Sequence, residues 1–135
     1  MPPKCIHGTP EEWLERATGK LLLARQPLPQ GAFWEDLCFS AHQAVELAIK
    51  AVYMRHGWRF PFIHDLAELL DGLVRQGLAV PEEIRAADQL TVFATDVRYP
   101  GTGGITSEAQ YHSILAIAEE VVKWAAAHVA NTEKL

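Results

Sequence analysis

The chain has 135 residues, of which 49% are hydrophobic and 21% charged. That is enough apolar material for one domain around one core, and it excludes a disordered chain. The formal net charge of −5 excludes a generic nucleic-acid binder with a basic whole surface, while leaving room for a local basic groove.

Residues 1–8 read as a flexible leader without an apolar signal core, and no stretch reaches the ~18 apolar residues of a membrane span. The expected setting is therefore cytoplasmic, off the membrane, with Cys5 and Cys38 reduced. One domain is expected over residues 9–130, with 131–135 as a frayed terminus. Thr9-Pro10-Glu11-Glu12 is a helix start: Thr9 caps, Pro10 fits the first helical position, and Glu12 completes a capping box. Trp13, Leu14, Ala17, Leu21 and Ala24 follow at helical spacing until Pro27 and Pro29 end the run. Trp34, Leu37, Ala41, Ala44, Ala48 and Val52, widened by Val45 and Ile49, predict a second helix over about 32–56 that stops near Gly57. At that length it forms the spine of the domain.

The link Trp58-Arg59-Phe60-Pro61-Phe62 reads as extended. Leu66, Leu69, Leu70 and Leu73 mark a third helix ending near Gly77. Pro81-Glu82-Glu83 opens a fourth, with Ile84, Ala87, Thr91 and Ala94 as its expected apolar side. A glycine-rich stretch around Tyr99-Pro100-Gly101 separates it from a last helix, which begins near Thr106 or Ser107 and carries Ile114, Ala118, Val121, Ala125 and His128 on one face. No strand-like alternation interrupts this. The fold class is all-α: an antiparallel up-and-down four-helix bundle with about five helices in total. Ala125, Ala126, Ala127 and Val129 widen the apolar arc of the last helix, which predicts a second copy of the chain as a partner.

Charge is polarised along the chain. Leu47 to His64 holds Lys50, Arg55 and Arg59 with no acid, whereas Asp65 to Asp88 holds six acids against two arginines.

Four elements in order resemble the HEPN family of small helical domains. They are the opening helix Trp13-Leu14-Glu15-Arg16-Ala17; Cys38 to Lys50, with His42, Gln43-Ala44, Glu46 and Lys50 at the family spacings; Phe60-Pro61 followed by His64-Asp65-Leu66; and Val97-Arg98-Tyr99-Pro100 before the last helix. The resemblance covers about residues 10–130. It implies a four-to-five-helix bundle, commonly a homodimer, associated with nucleotide or RNA binding and often encoded beside a small nucleotidyltransferase. Some members are metal-independent ribonucleases that use an Arg and a His a few residues apart at the base of the last long helix. Here the histidine after Arg98 is His112, with thirteen residues (99–111) between them, so the chain departs from that pattern. Arg59 and His64 have the nuclease spacing, but they precede the third helix instead.

The residues themselves point to the same places. His42, Glu46 and Lys50 stand at i, i+4 and i+8 and line one helix stripe. A histidine and a carboxylate on one stripe are also metal-ligand types, but no third or fourth ligand has recognisable spacing, so neither metal nor cofactor is expected. An interhelical polar network is the stronger reading, one that Arg98 could share. Arg98 and Tyr99 lie in the longest non-helical stretch, where a planar guanidinium suits phosphate. His64 or Asp65 is positioned to cap the third helix. Trp13, Trp34 and Trp124 read as core; Trp58, in the link, is freer to stack on a base or a partner.

The expected ligand-contacting set is Arg98, Tyr99, His64, Asp65, His42, Glu46 and Lys50, and any catalytic pair would come from Arg98, His64 and Arg59. The leading functional expectation is a nucleotide- or RNA-binding module, homodimeric, working with a separately encoded nucleotidyltransferase. The alternatives are a metal-independent, toxin-like endoribonuclease and a non-catalytic helical scaffold.

Overall fold

The computed structural model describes residues 8–94 and 106–131. Among the described residues all regular structure is helical: α1 Pro10–Ala24, α2 Trp34–Arg55, α3 Leu66–Arg75, α4 Glu82–Arg85 continued by a 3-10 helix Ala86–Ala94, and α5 Glu108–Ala130. The helix starts are chemical. The Thr9 side chain accepts from the Glu12 backbone N–H while Glu12 reaches back to Thr9, and Ser107 with Gln110 does the same for α5. Asp65 caps α3 through the Glu68 N–H. Two of the helix ends share a device. Gly57 and Gly77 adopt φ of 73° and 99°, and Trp58 and Leu78 donate back to the carbonyls of Tyr53 and Leu73. That six-residue closure needs a left-handed residue, which glycine adopts without a Cβ clash.

α2 is the spine: it packs on α1, α5, α3 and the 3-10 helix. Ala41, Ala44, Val45, Ala48, Ile49 and Val52 are fully or almost fully buried. Chain direction follows from the contacts at each end. The Tyr111 hydroxyl near the start of α5 donates to the Ala24 carbonyl at the end of α1, and the Trp34 ring at the start of α2 lies 4.7 Å from Tyr111. At the other end Arg55 donates to the carbonyls of Val129 and Asn131. α1 is therefore antiparallel to both α2 and α5, while α2 and α5 run the same way. The α3–α4–3-10 segment is the return path this parallel pair requires.

Two details differ from the sequence expectation. The fourth apolar face is Ile84, Ala87, Leu90 and Phe93, all buried, rather than Ile84, Ala87, Thr91 and Ala94. Past Arg85 the helix tightens to three residues per turn, so side chains three apart eclipse and the period becomes exact threes. Thr91, turned off that face, accepts the Leu66 N–H instead. The wide apolar arc of α5 also resolves differently. Ala125 and Val129 belong to the chain's own core, Ala126 is half-buried and Ala127 is exposed, so the core takes up part of this arc and the rest faces outward. No helix among the described residues is long and apolar enough to cross a membrane.

Candidate functional site

His42, Glu46 and Lys50 share the stripe of α2 that faces the extended link between α2 and α3. Because Pro61 keeps that link out of a helix, Phe60 turns into the core and His64 reaches back over the stripe. Glu46 sits at the centre. Its Oε2 accepts from the Lys50 ammonium at 2.7 Å and its Oε1 from His64 Nδ1 at 2.9 Å. The Lys50 ammonium also lies 5.1 Å from the centre of the Phe60 ring, a cation–π contact that helps hold a charge in a nearly buried place. Lys50 is only 7% exposed and His42 2%. The His64 side chain, by contrast, is 70% exposed.

The polarity of these contacts is fixed by chemistry. His42 Nε2 lies 3.3 Å from the His64 carbonyl, and a carbonyl only accepts, so the proton sits on Nε2. Burial pushes the His42 pKa down, against the opposing pull of the His64 carbonyl and Glu46, which keeps the ring neutral near pH 7. Its Nδ1 is then a lone-pair acceptor, buried and without a hydrogen-bond partner among the described residues. Burial acts to raise the Glu46 carboxyl, but hydrogen bonds from Lys50 and His64, with their charges, outweigh it and hold the group below the ordinary carboxylate value.

Beside this network is a cavity of about 500 Å³, lined by Lys20 of α1, by Phe39, His42, Gln43, Glu46 and Leu47 of α2, by His64 and by Ala94. That volume falls in the ~300–1,000 Å³ range of small-molecule sites. The structure thus brings together four of the expected site residues, His42, Glu46, Lys50 and His64, as an interhelical polar network. Asp65 is adjacent but spends a carboxylate oxygen on the α3 cap. Arg59 is exposed in the same link, with no contact to the network among the described residues. Arg98 and Tyr99 lie outside the described residues; the partner seen reaching the α2 stripe is His64.

Sequence reasoning did not place Lys20, Phe39, Gln43, Leu47 or Ala94 in the site. Phe39 and Gln43 stand one turn from His42 and Glu46, so the helical period carried a signal for them. Lys20 did not, because its place beside Phe39 depends on how α1 slides along α2. No group of three or more His, Cys, Asp or Glu among the described residues is placed to hold a metal ion. Trp13, Trp34 and Trp124 are partly buried against the core. Trp58 is half-buried, with its ring stacked on His56 at 4.4 Å, so it is less free than its position in a link implied.

Comparison with known proteins agrees with the sequence pattern. The family model for the HEPN domain matches residues 10–129. The crystal structure of TT1696 from Thermus thermophilus superposes with a TM-score of 0.76 at 25% identity, covering 88% of this chain and 97% of that one. An archaeal HEPN homologue superposes with a TM-score of 0.72 at 22% identity, covering 91% of this chain and 99% of its own. No curated protein matches the chain. With the family pattern spanning the bundle from the first turn of α1 to the last turn of α5, the chain belongs to the HEPN domain family.

Proposed function

We propose that this chain is a nucleotide- or RNA-binding HEPN module, acting as a homodimer in the cytoplasm with a separately encoded nucleotidyltransferase. The observation that carries the reading is the cavity over the Glu46 network. A ligand there meets a cation (Lys20), an aromatic face (Phe39), an amide (Gln43) and an exposed imidazole (His64) within one concave surface. Those are the group types that hold a phosphate and a base. Arg98, four residues along the chain from the cavity-lining Ala94, adds a further phosphate-binding type, with Tyr99 beside it. The dimer is supported by apolar side chains left exposed at the end of the bundle where α1 stops and α2 starts: Leu22, Leu23 and Phe33. Titration of the purified chain with nucleotides and short RNAs at several salt concentrations tests the reading. Saturable binding that weakens with salt supports it; no binding, alone or with the nucleotidyltransferase, sinks it.

A second reading, a metal-independent endoribonuclease, is favoured by one contact. The Glu46 carboxylate holds His64 Nδ1, which fixes the ring and leaves Nε2 as a proton acceptor on an exposed side chain. His64 would take the proton of a ribose 2′-hydroxyl, and Arg59 or Arg98 would stabilise charge on the phosphate. RNA cleavage in excess chelator that disappears in His64→Ala supports this, while cleavage unchanged by that substitution rules His64 out.

A further inference from the structure

Phe62, in the link between α2 and α3, is 83% exposed, more than any other large apolar side chain among the described residues. A lone surface phenylalanine is ordinary, but this one is held in place. Its ring meets that of the buried Phe60 edge-on, at 70° with 5.6 Å between centroids. Pro61 between them fixes one backbone angle and keeps Phe60 extended. Two residues further on, His64 is tied twice, by its carbonyl to His42 and by its Nδ1 to Glu46. The link is therefore anchored on both sides of Phe62. The ring presents an open face, and little conformational entropy is lost when something covers it.

The charge around that face narrows what covers it. Lys50 is engaged by Glu46, and Arg55 by the carbonyls of Val129 and Asn131. Arg59, the remaining cation of this acid-free stretch, is exposed and makes no hydrogen bond or ion pair among the described residues. It stands three residues before Phe62, so their Cα atoms are at most about 11 Å apart. An open aromatic face beside an unpaired guanidinium suits single-stranded nucleic acid: the ring stacks a base and the planar fork holds a phosphate. A protein contact centred on Phe62 calls for further apolar side chains around it, whereas the exposed neighbours in the chain are Arg59, Pro61, His64 and Asp65.

We infer that the α2–α3 link is a binding ridge for single-stranded RNA, on which Phe62 stacks one base and Arg59 holds an adjoining phosphate while the next nucleotide enters the cavity at His64. This rests on the nucleotide- or RNA-binding reading and resolves it in favour of RNA. The Cα atoms of Phe62 and His64 are at most about 7 Å apart, so a strand leaving the cavity passes directly onto the ridge. A mononucleotide in the cavity leaves the ridge empty and gains nothing from it. Every base has a π-face, so the ridge adds affinity without choosing a sequence.

The test is isothermal titration of the full chain with tetraadenylate, tetrauridylate and adenosine monophosphate at several salt concentrations. Both tetranucleotides should bind more tightly than the monophosphate. Phe62→Leu, which keeps apolar bulk but has no π-face, should weaken both tetranucleotides about 10-fold, with an unchanged salt slope and unchanged monophosphate binding. Phe62→Trp should retain tetranucleotide affinity. Arg59→Gln should flatten the slope of log affinity against log salt by about 0.7, the contribution of one phosphate contact on a single strand. Both side chains lie outside the core, so these variants are expected to fold, and circular dichroism checks them. Tetranucleotide affinity that is unchanged in Phe62→Leu, or equally lost in Phe62→Trp, overturns the inference. So does a Phe62→Leu chain that changes oligomeric state in light scattering with RNA affinity intact, which makes the ring a protein contact. Nucleotide or RNA binding that is indifferent to Phe62 and Arg59 overturns the ridge and leaves the broader reading standing. Absence of all binding overturns both.

Discussion

Glu46 joins the Lys50 ammonium to the His64 imidazole, and removing its charge is expected to be the most damaging single change in the network. In Glu46→Gln the Lys50 ammonium, with its side chain 8% exposed, keeps only an amide and the Phe60 ring as partners. Charge-assisted hydrogen bonds contribute ~1.5–3 kcal/mol, and breaking a buried pair costs ~3–5 kcal/mol. Because Glu46 retains 14% side-chain exposure, the lower end applies, about 3 kcal/mol. Lys50→Met keeps the aliphatic stem against Phe60 and leaves Glu46 its His64 contact at 2.9 Å, so it should cost only ~1–2 kcal/mol. The double variant has no stranded charge and should be more stable than the sum of the two by ~2 kcal/mol. Urea unfolding followed by circular dichroism at pH 7 measures all four species. Additivity within ~0.5 kcal/mol would refute the claim that Lys50 and Glu46 act as one unit. The same cycle has a pH signature. The folded Glu46 carboxyl titrates below its ordinary value, so its stabilisation is complete above the unfolded carboxylate pKa and is lost as pH falls toward the folded one. The double variant should therefore lose less stability than the native chain below about pH 4.5.

Other parts of the molecule give equally direct expectations. Gly72 lies within α3, where alanine is ordinarily favoured by ~1 kcal/mol, but a Cβ there would meet the Tyr53 hydroxyl at 2.0 Å. Gly72→Ala should therefore destabilise by ~2 kcal/mol or more. Tyr53→Phe should recover much of this, since the next ring atom is 3.2 Å away; a Gly72→Ala chain as stable as native would contradict the packing of α3 on α2. The His42 pKa is lowered in the fold by burial, so stability is unaffected well above pH 6.5, falls as the unfolded chain protonates below it, and levels once the folded ring is protonated. Thermal melts of native and His42→Asn between pH 7.5 and 5 should differ in slope by at most ~1.4 kcal/mol per pH unit, native the steeper. Cys38 is fully buried with its thiol pushed up to about 12, by burial first and Glu35 second. In a Cys5→Ser background it should react with a thiol reagent only at the rate of unfolding, and fast labelling of the folded chain would refute that burial.

Much of the fold was written in local chemistry. Thr9, Ser107 and Asp65 start helices through bonds to residues three positions away, and Gly57 and Gly77 stop them through one backbone dihedral each, so neighbours along the chain suffice. The apolar periods of α1, α2 and α3 are equally local. The fourth segment was not, because 3.6 and 3.0 residues per turn give similar short patterns and differ only after two turns. Leu90 and Phe93 rather than Thr91 and Ala94 face the core once the helix tightens.

The site divides along the same line. Sequence alone determined that His42, Glu46 and Lys50 share a stripe and that the Pro61 link must leave the helix, since both follow from backbone geometry. That His64 closes over Glu46, that Phe60 lies beneath the Lys50 charge, and that Lys20 and Phe39 wall one cavity was decided only by the tertiary structure. Those contacts join residues of different elements, and their distances are set by how α1 and the α2–α3 link pack on the spine. The burial that keeps His42 neutral has the same origin, because it depends on what the rest of the chain covers and not on the residue itself.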